Sequence, residues 1–233
     1  MRVIGMLGGM SWESSAEYYR LANEMVRDRV GGLHSARVLL DSVDFAEVEA
    51  MQADGRWEEA GVLLANRARA LQAGGAELIV LCTNTMHKVF PWIAAAVSVP
   101  VLHIADAAAA AIRARALSRI GLLGTRFTME QDFYSTRLTG HGIATIIPGP
   151  EDRDIVHRVI YDELVLGIVR EESREAYRRV ISRLVDAGAE GIVLGCTEIE
   201  LLIEESDSPV HVFPTTRLHV AAAVEAVLSP AAG

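Results

Sequence analysis

The sequence predicts an α/β protein made of two pseudo-symmetric, doubly wound lobes with parallel sheets, its site lying in the cleft between them. Three observations predict this. Short apolar runs alternate with helical stretches, most of the runs end in glycine-bearing turns, and the motifs of the first half return in the same order in the second.

Val3 to Leu7 is a β-rich run closed by Gly8-Gly9, and a helix follows from about Ser11. Within it Tyr18, Leu21, Ala22, Met25 and Val26 recur at helical spacing and form an apolar stripe. Val38 to Leu40 reads as a second strand and Trp57 to Leu71 as a second helix. Glu77 to Leu81 is nearly all apolar, as a parallel strand covered on both faces should be. Val99 to Ile104 supplies a further short strand.

The second half repeats this plan. Ile120-Gly121-Leu122-Leu123-Gly124-Thr125 echoes Ile4-Gly5-Met6-Leu7-Gly8-Gly9. Gly188-Ala189-Glu190-Gly191-Ile192-Val193-Leu194-Gly195-Cys196-Thr197 echoes Gly75-Ala76-Glu77-Leu78-Ile79-Val80-Leu81-Cys82-Thr83, with Gly195 as an extra residue. Pro209-Val210-His211 echoes Pro100-Val101-Leu102. The expected division is residues 1–100 plus 215–233 for the lobe carrying Cys82, and residues 101–214 for the lobe carrying Cys196. A closing helix from about Thr216 to Leu228 should return to the first lobe.

Composition narrows the class. Hydrophobic residues make up 51% and charged residues 23%, an ordinary globular balance. A net charge of −9 argues against a grip on nucleic acid. The apolar stretch from Ile93 to Leu117 is broken by Pro100, His103, Asp106, Arg113 and Arg115, so it does not read as a membrane span. A cytoplasmic, soluble protein with a small-molecule substrate is expected. Two cysteines are too few for a disulfide framework. Zinc shared with His87 or His211 lacks any supporting spacing, so no metal is expected.

Each cysteine directly follows an apolar strand and precedes a threonine, with Asn84-Thr85 beyond the first and Glu198 beyond the second. In open α/β sheets the carboxyl ends of the strands line the ligand crevice. Two facing lobes would set a thiol on each side of one ligand. Inverting a Cα centre needs one group to take a proton from one face and another to return it on the other, which a thiolate/thiol pair can do. Such a pair titrates as a unit. Asn84, Thr85, Thr125 and Thr197 are placed to donate to a carboxylate as charge builds there. No lysine stands in a pyridoxal-phosphate setting and no complete dinucleotide or phosphate loop is present, so catalysis without a cofactor is expected.

Gly8-Gly9-Met10-Ser11-Trp12-Glu13-Ser14, Cys82-Thr83-Asn84-Thr85-Met86-His87 and Gly195-Cys196-Thr197-Glu198-Ile199 resemble the three signatures of the aspartate/glutamate racemase family, most closely its aspartate racemase branch. The resemblance spans essentially the whole chain. It implies a pyridoxal-phosphate-independent racemase, acting on aspartate, glutamate or other polar amino acids such as homoserine, and a homodimer. It makes Cys82 and Cys196 the acid/base pair. Met10, Ser11, Gln52, Thr83, Asn84, Thr85, Thr125, Thr197 and Glu198 would contact the substrate. Relatives selective for aspartate tend to carry cations where Gln52 and Leu166 stand here, which points to broader specificity for polar side chains.

Other residues admit two roles. His87 and Lys88 read either as a solvated first turn or as groups tuning the thiol. Glu198 either orients Cys196 or caps the next helix. Thr128 to Gln131 fits a capping box, Arg170 to Arg179 a solvated charged helix face, and Trp12, Trp57 and Trp92 packing positions, with Trp12 bordering the cleft. The competing functions are a hydantoin-type racemase, a decarboxylase or isomerase using one cysteine, and a non-catalytic amino-acid-binding protein.

Overall fold

The computed structural model describes residues 1–229. Met1–His103 with the described residues from His219 onward form one compact unit, and Ile104–Leu218 form a second. The first unit runs β1 Ile4–Gly8, α1 Trp12–Val30, β2 Val38–Ser42, α2 Phe45–Ala53, α3 Trp57–Ala73, β3 Leu78–Leu81, a 3-10 turn Thr85–Val89, α4 Phe90–Ala96 and β4 Val101–Leu102. The second runs α5 Ile104–Ala114, β5 Arg119–Gly124, α6 Arg126–Glu130, α7 Asp132–Gly140, β6 Ala144–Ile146 and α8 Pro150–Asp162. It continues through a turn at Leu164–Leu166, α9 Glu171–Asp186, β7 Gly191–Gly195, α10 Ile199–Leu202, a turn at Glu205–Asp207 and β8 His211–Pro214. The closing helix α11, Thr215–Leu228, lies mostly in the first unit.

Each unit holds one four-stranded sheet, ordered β2-β1-β3-β4 in the first and β6-β5-β7-β8 in the second, with every pairing parallel. Both orders reverse direction between the two central strands. Ligand crevices open at such a switch point, beyond the carboxyl ends of the strands. The predicted α/β plan and its duplication are therefore present.

The central strands read as apolar because both of their faces are covered. In the first unit Ile4, Met6, Leu78 and Val80 pack with Tyr18, Leu21 and Val26 of α1 and Val220 and Val224 of α11. The alternate residues Leu7, Ile79 and Leu81 pack with Leu64 and Ala68 of α3. In the second unit Ile120, Leu122 and Val193 face α5 and α7, while Leu123, Ile192 and Leu194 face α8 and α9. Helix starts follow local chemistry. Ser11 caps α1 by accepting from the Ser14 amide, and Asp44 caps α2 by accepting from Ala46.

Three local expectations change. Thr128 is not a cap: Thr125 caps α6 by accepting from the Thr128 amide, and Thr128 sits buried inside the helix. The reason is the strand end, which already puts the Thr125 backbone in an extended conformation one residue before the helix. The charged run on α9 is not merely solvated. Arg174 and Arg178 converge on Asp207, whose side chain is only 2% exposed, and Arg174 also donates to the Leu202 carbonyl. Trp12 does not pack, being 68% exposed on the first turn of α1. Trp92 is also exposed but covers Gly61, where a Cβ would meet the indole at 2.8 Å.

Candidate active site

In the first unit two loops leave the central strands side by side. The loop after β1 turns at Gly9, whose φ is +91° and where a Cβ would meet the Val43 carbonyl oxygen at 2.2 Å; only glycine fits. The Gly9 amide donates to Ser15 Oγ at 2.8 Å, and Ser11 Oγ lies 3.2 Å from Ser14 Oγ. Met10 and Ser11 are both buried.

The second loop begins at Cys82, whose amide donates to the Leu7 carbonyl at 2.9 Å and so ties it to β1. The Thr83 amide donates back to Leu81 at 2.9 Å, which turns the chain sharply. Thr83, Asn84 and Thr85 follow, all buried. Gln52 of α2 joins this group through Met86, its Nε2 donating to the sulfur at 2.9 Å, and Met10, Met51 and Met86 share one apolar cluster. The structure thus gathers Met10, Ser11, Gln52, Cys82, Thr83, Asn84 and Thr85 around the switch point of one sheet.

In the second unit the matching strand ends carry Thr125, Cys196, Thr197 and Glu198, all buried. Gly124 and Gly195 lie opposite each other in β5 and β7, and a Cβ on Gly124 would come within 2.9 Å of the Gly195 carbonyl. Cys196 Sγ donates to Glu198 Oε2 at 3.0 Å. The Glu198 side chain makes no capping bond to α10, so its observed contact is with the thiol rather than with the helix end.

The two thiols differ in setting. Burial pushes the Cys82 thiol up from its ordinary range. Burial also raises Cys196, and the adjacent Glu198 carboxylate raises it further by its charge and by accepting the S–H, against smaller opposing pulls from the Glu198 and Ile199 amides. Their sheet faces differ too. Cys82 joins the core on the α1/α11 side, whereas Cys196 joins the α8/α9 core that also holds Leu194. The extra residue Gly195 accounts for this, because one added residue turns the next side chain to the other face. The sequence echo hides that inversion.

Several neighbours were not singled out in the sequence. Tyr177 of α9 shares the Cys196 cluster, donates from its hydroxyl to the Val156 carbonyl at 3.0 Å, and is raised by burial and then by Cys196. His103 and His219 are buried against His87, with ring centroids 4.5 and 5.8 Å away. No sequence signal marked these three, since they come from elements far apart in the chain. His87 is itself buried, which overturns the solvated first turn; Phe90 of α4 and His219 of α11 pack against its ring. Lys88 turns away and lies 4.0 Å over the Trp57 ring. Leu166 is 67% exposed on the turn after α8. Among the described residues no group of three or more His, Cys, Asp or Glu side chains is arranged to hold a metal ion, and no helix is long and apolar enough to cross a membrane.

Residues 7–223 match the model of the Asp/Glu/Hydantoin racemase family. A proposed Asp/Glu racemase from Yersinia pestis is 54% identical, with a TM-score of 0.93 over 98% of this chain and 100% of its own. An aspartate racemase homologue from Pyrococcus horikoshii OT3 is 33% identical, with a TM-score of 0.87 over 98% of this chain and 100% of its own. The aspartate racemase of Picrophilus torridus, at 19% identity, shares the fold with a TM-score of 0.77 over 99% of this chain and 96% of its own.

Proposed function

The chain belongs to the Asp/Glu/hydantoin racemase family, and from that premise we propose that it racemises amino acids without a cofactor, using Cys82 and Cys196 as a two-base pair. The observation that carries the proposal is the placement of a buried thiol at the carboxyl end of a central strand in each unit, beside the switch point of its sheet. A core cysteine kept only for packing has no reason to occupy that position twice.

In the proposed reaction one cysteine, as thiolate, takes the Cα proton. The C–H electron pair passes into the α-carboxylate, giving a planar dianionic intermediate. The other cysteine, as thiol, delivers its proton to the opposite face, and the pair ends with its protonation reversed. Exchange with solvent resets it. Asn84, Thr85, Thr125 and Thr197 stabilise the carboxylate as charge builds there. Because burial holds both thiols protonated, the reactive thiolate must be formed on demand. For Cys196 the Glu198 carboxylate, 3.0 Å away, is the acceptor of that proton.

The proposed substrates are amino acids with small polar side chains. Gln52 is buried and neutral, so it does not supply the positive partner that a buried distal carboxylate requires. Aspartate and glutamate would then be slower substrates than neutral ones such as homoserine. The test is incubation with L- and D-amino acids, read by chiral chromatography with no cofactor added. Racemisation of at least one polar amino acid is expected. Failure across the panel at high enzyme concentration would remove the proposal, and activity confined to aspartate would remove its substrate class.

A further inference from the structure

We propose that His87 is a positioning residue for the Cys82 loop, its Nδ1–H holding the Thr83 carbonyl and so fixing the turn through Thr83, Asn84 and Thr85. The bond is 2.8 Å long and buried. A carbonyl oxygen only accepts, so the proton must sit on Nδ1. The His87 amide donates at the same time to the Asn84 carbonyl at 3.0 Å. One residue therefore grips two successive carbonyls of the loop, downstream in the chain from the tie between Cys82 and β1.

The ring is held rigidly enough to serve as this anchor. Phe90 stacks on it with centroids 5.9 Å apart and planes 10° from parallel, and His103 and His219 pack against it. His219 is fixed in turn. Its Nε2 lies 3.1 Å from the Leu102 carbonyl, so Nε2 carries a proton, and its Nδ1 pairs with the Tyr18 hydroxyl at 2.9 Å. Strand β4 and helices α1 and α11 thus converge on the imidazole that backs His87. Burial, with His103 and His219 beside it, keeps His87 neutral, so the ring carries one N–H and commits it to Thr83. Each of the two rings is pinned to a backbone carbonyl, His87 through Nδ1 and His219 through Nε2. They act as struts.

The proposal uses the racemase assignment only for its kinetic arm. The first measurement needs no activity: long-range proton–nitrogen correlation spectra of the histidine-labelled protein, with His87→Asn used to assign the signal. His87 should be protonated on Nδ1 and His219 on Nε2. Protonation of His87 on Nε2 would overturn the proposal even in an active enzyme, and an inactive wild type would count against the racemase assignment alone. The second compares His87→Asn, whose amide nitrogen can occupy the Nδ1 position, with His87→Gln, whose nitrogen reaches the Nε2 position instead. The asparagine variant should keep most of its kcat. The glutamine variant should lose on the order of a hundredfold in kcat, with a smaller change in KM, because a misplaced loop costs orientation more than binding. Equal losses in both variants, or none in either, would overturn the positioning role. If the glutamine variant fails to fold, the tautomer result decides.

Discussion

Asp207 offers a demanding test of how α9 is held in the second unit. Its carboxylate is 2% exposed and receives Arg178 Nε at 2.8 Å, Arg178 Nη2 at 2.6 Å, Arg174 Nη1 at 3.0 Å and the Glu204 amide at 2.8 Å. Burial alone would raise its pKa, but the Glu204 amide and the two arginines outweigh it and hold the carboxyl below its usual range. Removing one partner of a buried pair costs about 3–5 kcal/mol when the other is left buried and charged. Here Arg178 is 39% exposed and recovers water, while Arg174, at 20%, recovers less. Asp207→Ala should therefore fall below that range, at about 2–3 kcal/mol. For a chain of this size that is a fall of roughly 5–10 °C in Tm. Arg20→Ala is the control, since its pairs with Glu17 and Glu24 are solvent-exposed and worth at most about 1 kcal/mol. Thermal melts followed by circular dichroism compare the two. If Asp207→Ala melts no lower than Arg20→Ala, the network is an ornament of the surface and the reasoning fails.

Three further outcomes follow from the same physical arguments. His87 has a folded pKa below its unfolded value near 6.5, so below that pH the unfolded chain binds the extra proton; stability should be level above about pH 6.5 and fall below it, by up to about 1.4 kcal/mol per pH unit, and His87→Asn should flatten the fall in urea titrations at several pH values. Gly9→Ala should lower the urea midpoint markedly, because both the +91° φ and the 2.2 Å approach to the Val43 carbonyl oppose a Cβ, whereas alanine at Gly32, whose built Cβ meets nothing, should cost only its backbone strain. Glu198→Gln should leave the fold intact but slow racemisation by about a hundredfold or more, read by chiral chromatography, since the amide can accept the S–H but cannot take its proton.

Much of the fold was written in local pattern. Leu78 to Leu81 and Gly191 to Gly195 declare themselves as covered parallel strands, and the order of glycine turns and cysteines in both halves announces the duplication. The placement of the candidate site residues was legible for the same reason: strand ends are recognisable, and strand ends are where the sheet topology gathers most of them. What stayed hidden depends on contacts distant in sequence. Asp207 looks like an ordinary loop acid until α9 brings Arg174 and Arg178 onto it. His103 and His219 are separated by more than a hundred residues, yet both pack on His87. The inversion of Cys196 relative to Cys82 rests on the single residue Gly195, whose effect is plain only once the two cores are compared.

The two-base claim is tested most directly by Cα exchange in deuterium oxide, using wild type, Cys82→Ser and Cys196→Ser on both enantiomers of one accepted substrate. Wild type should place deuterium at Cα of both enantiomers while interconverting them. Each serine variant should lose interconversion, and each should still exchange one enantiomer without inverting it, the two variants sparing opposite enantiomers. Normal racemisation by either serine variant, or both variants sparing the same enantiomer, would contradict the assignment of one cysteine to each face.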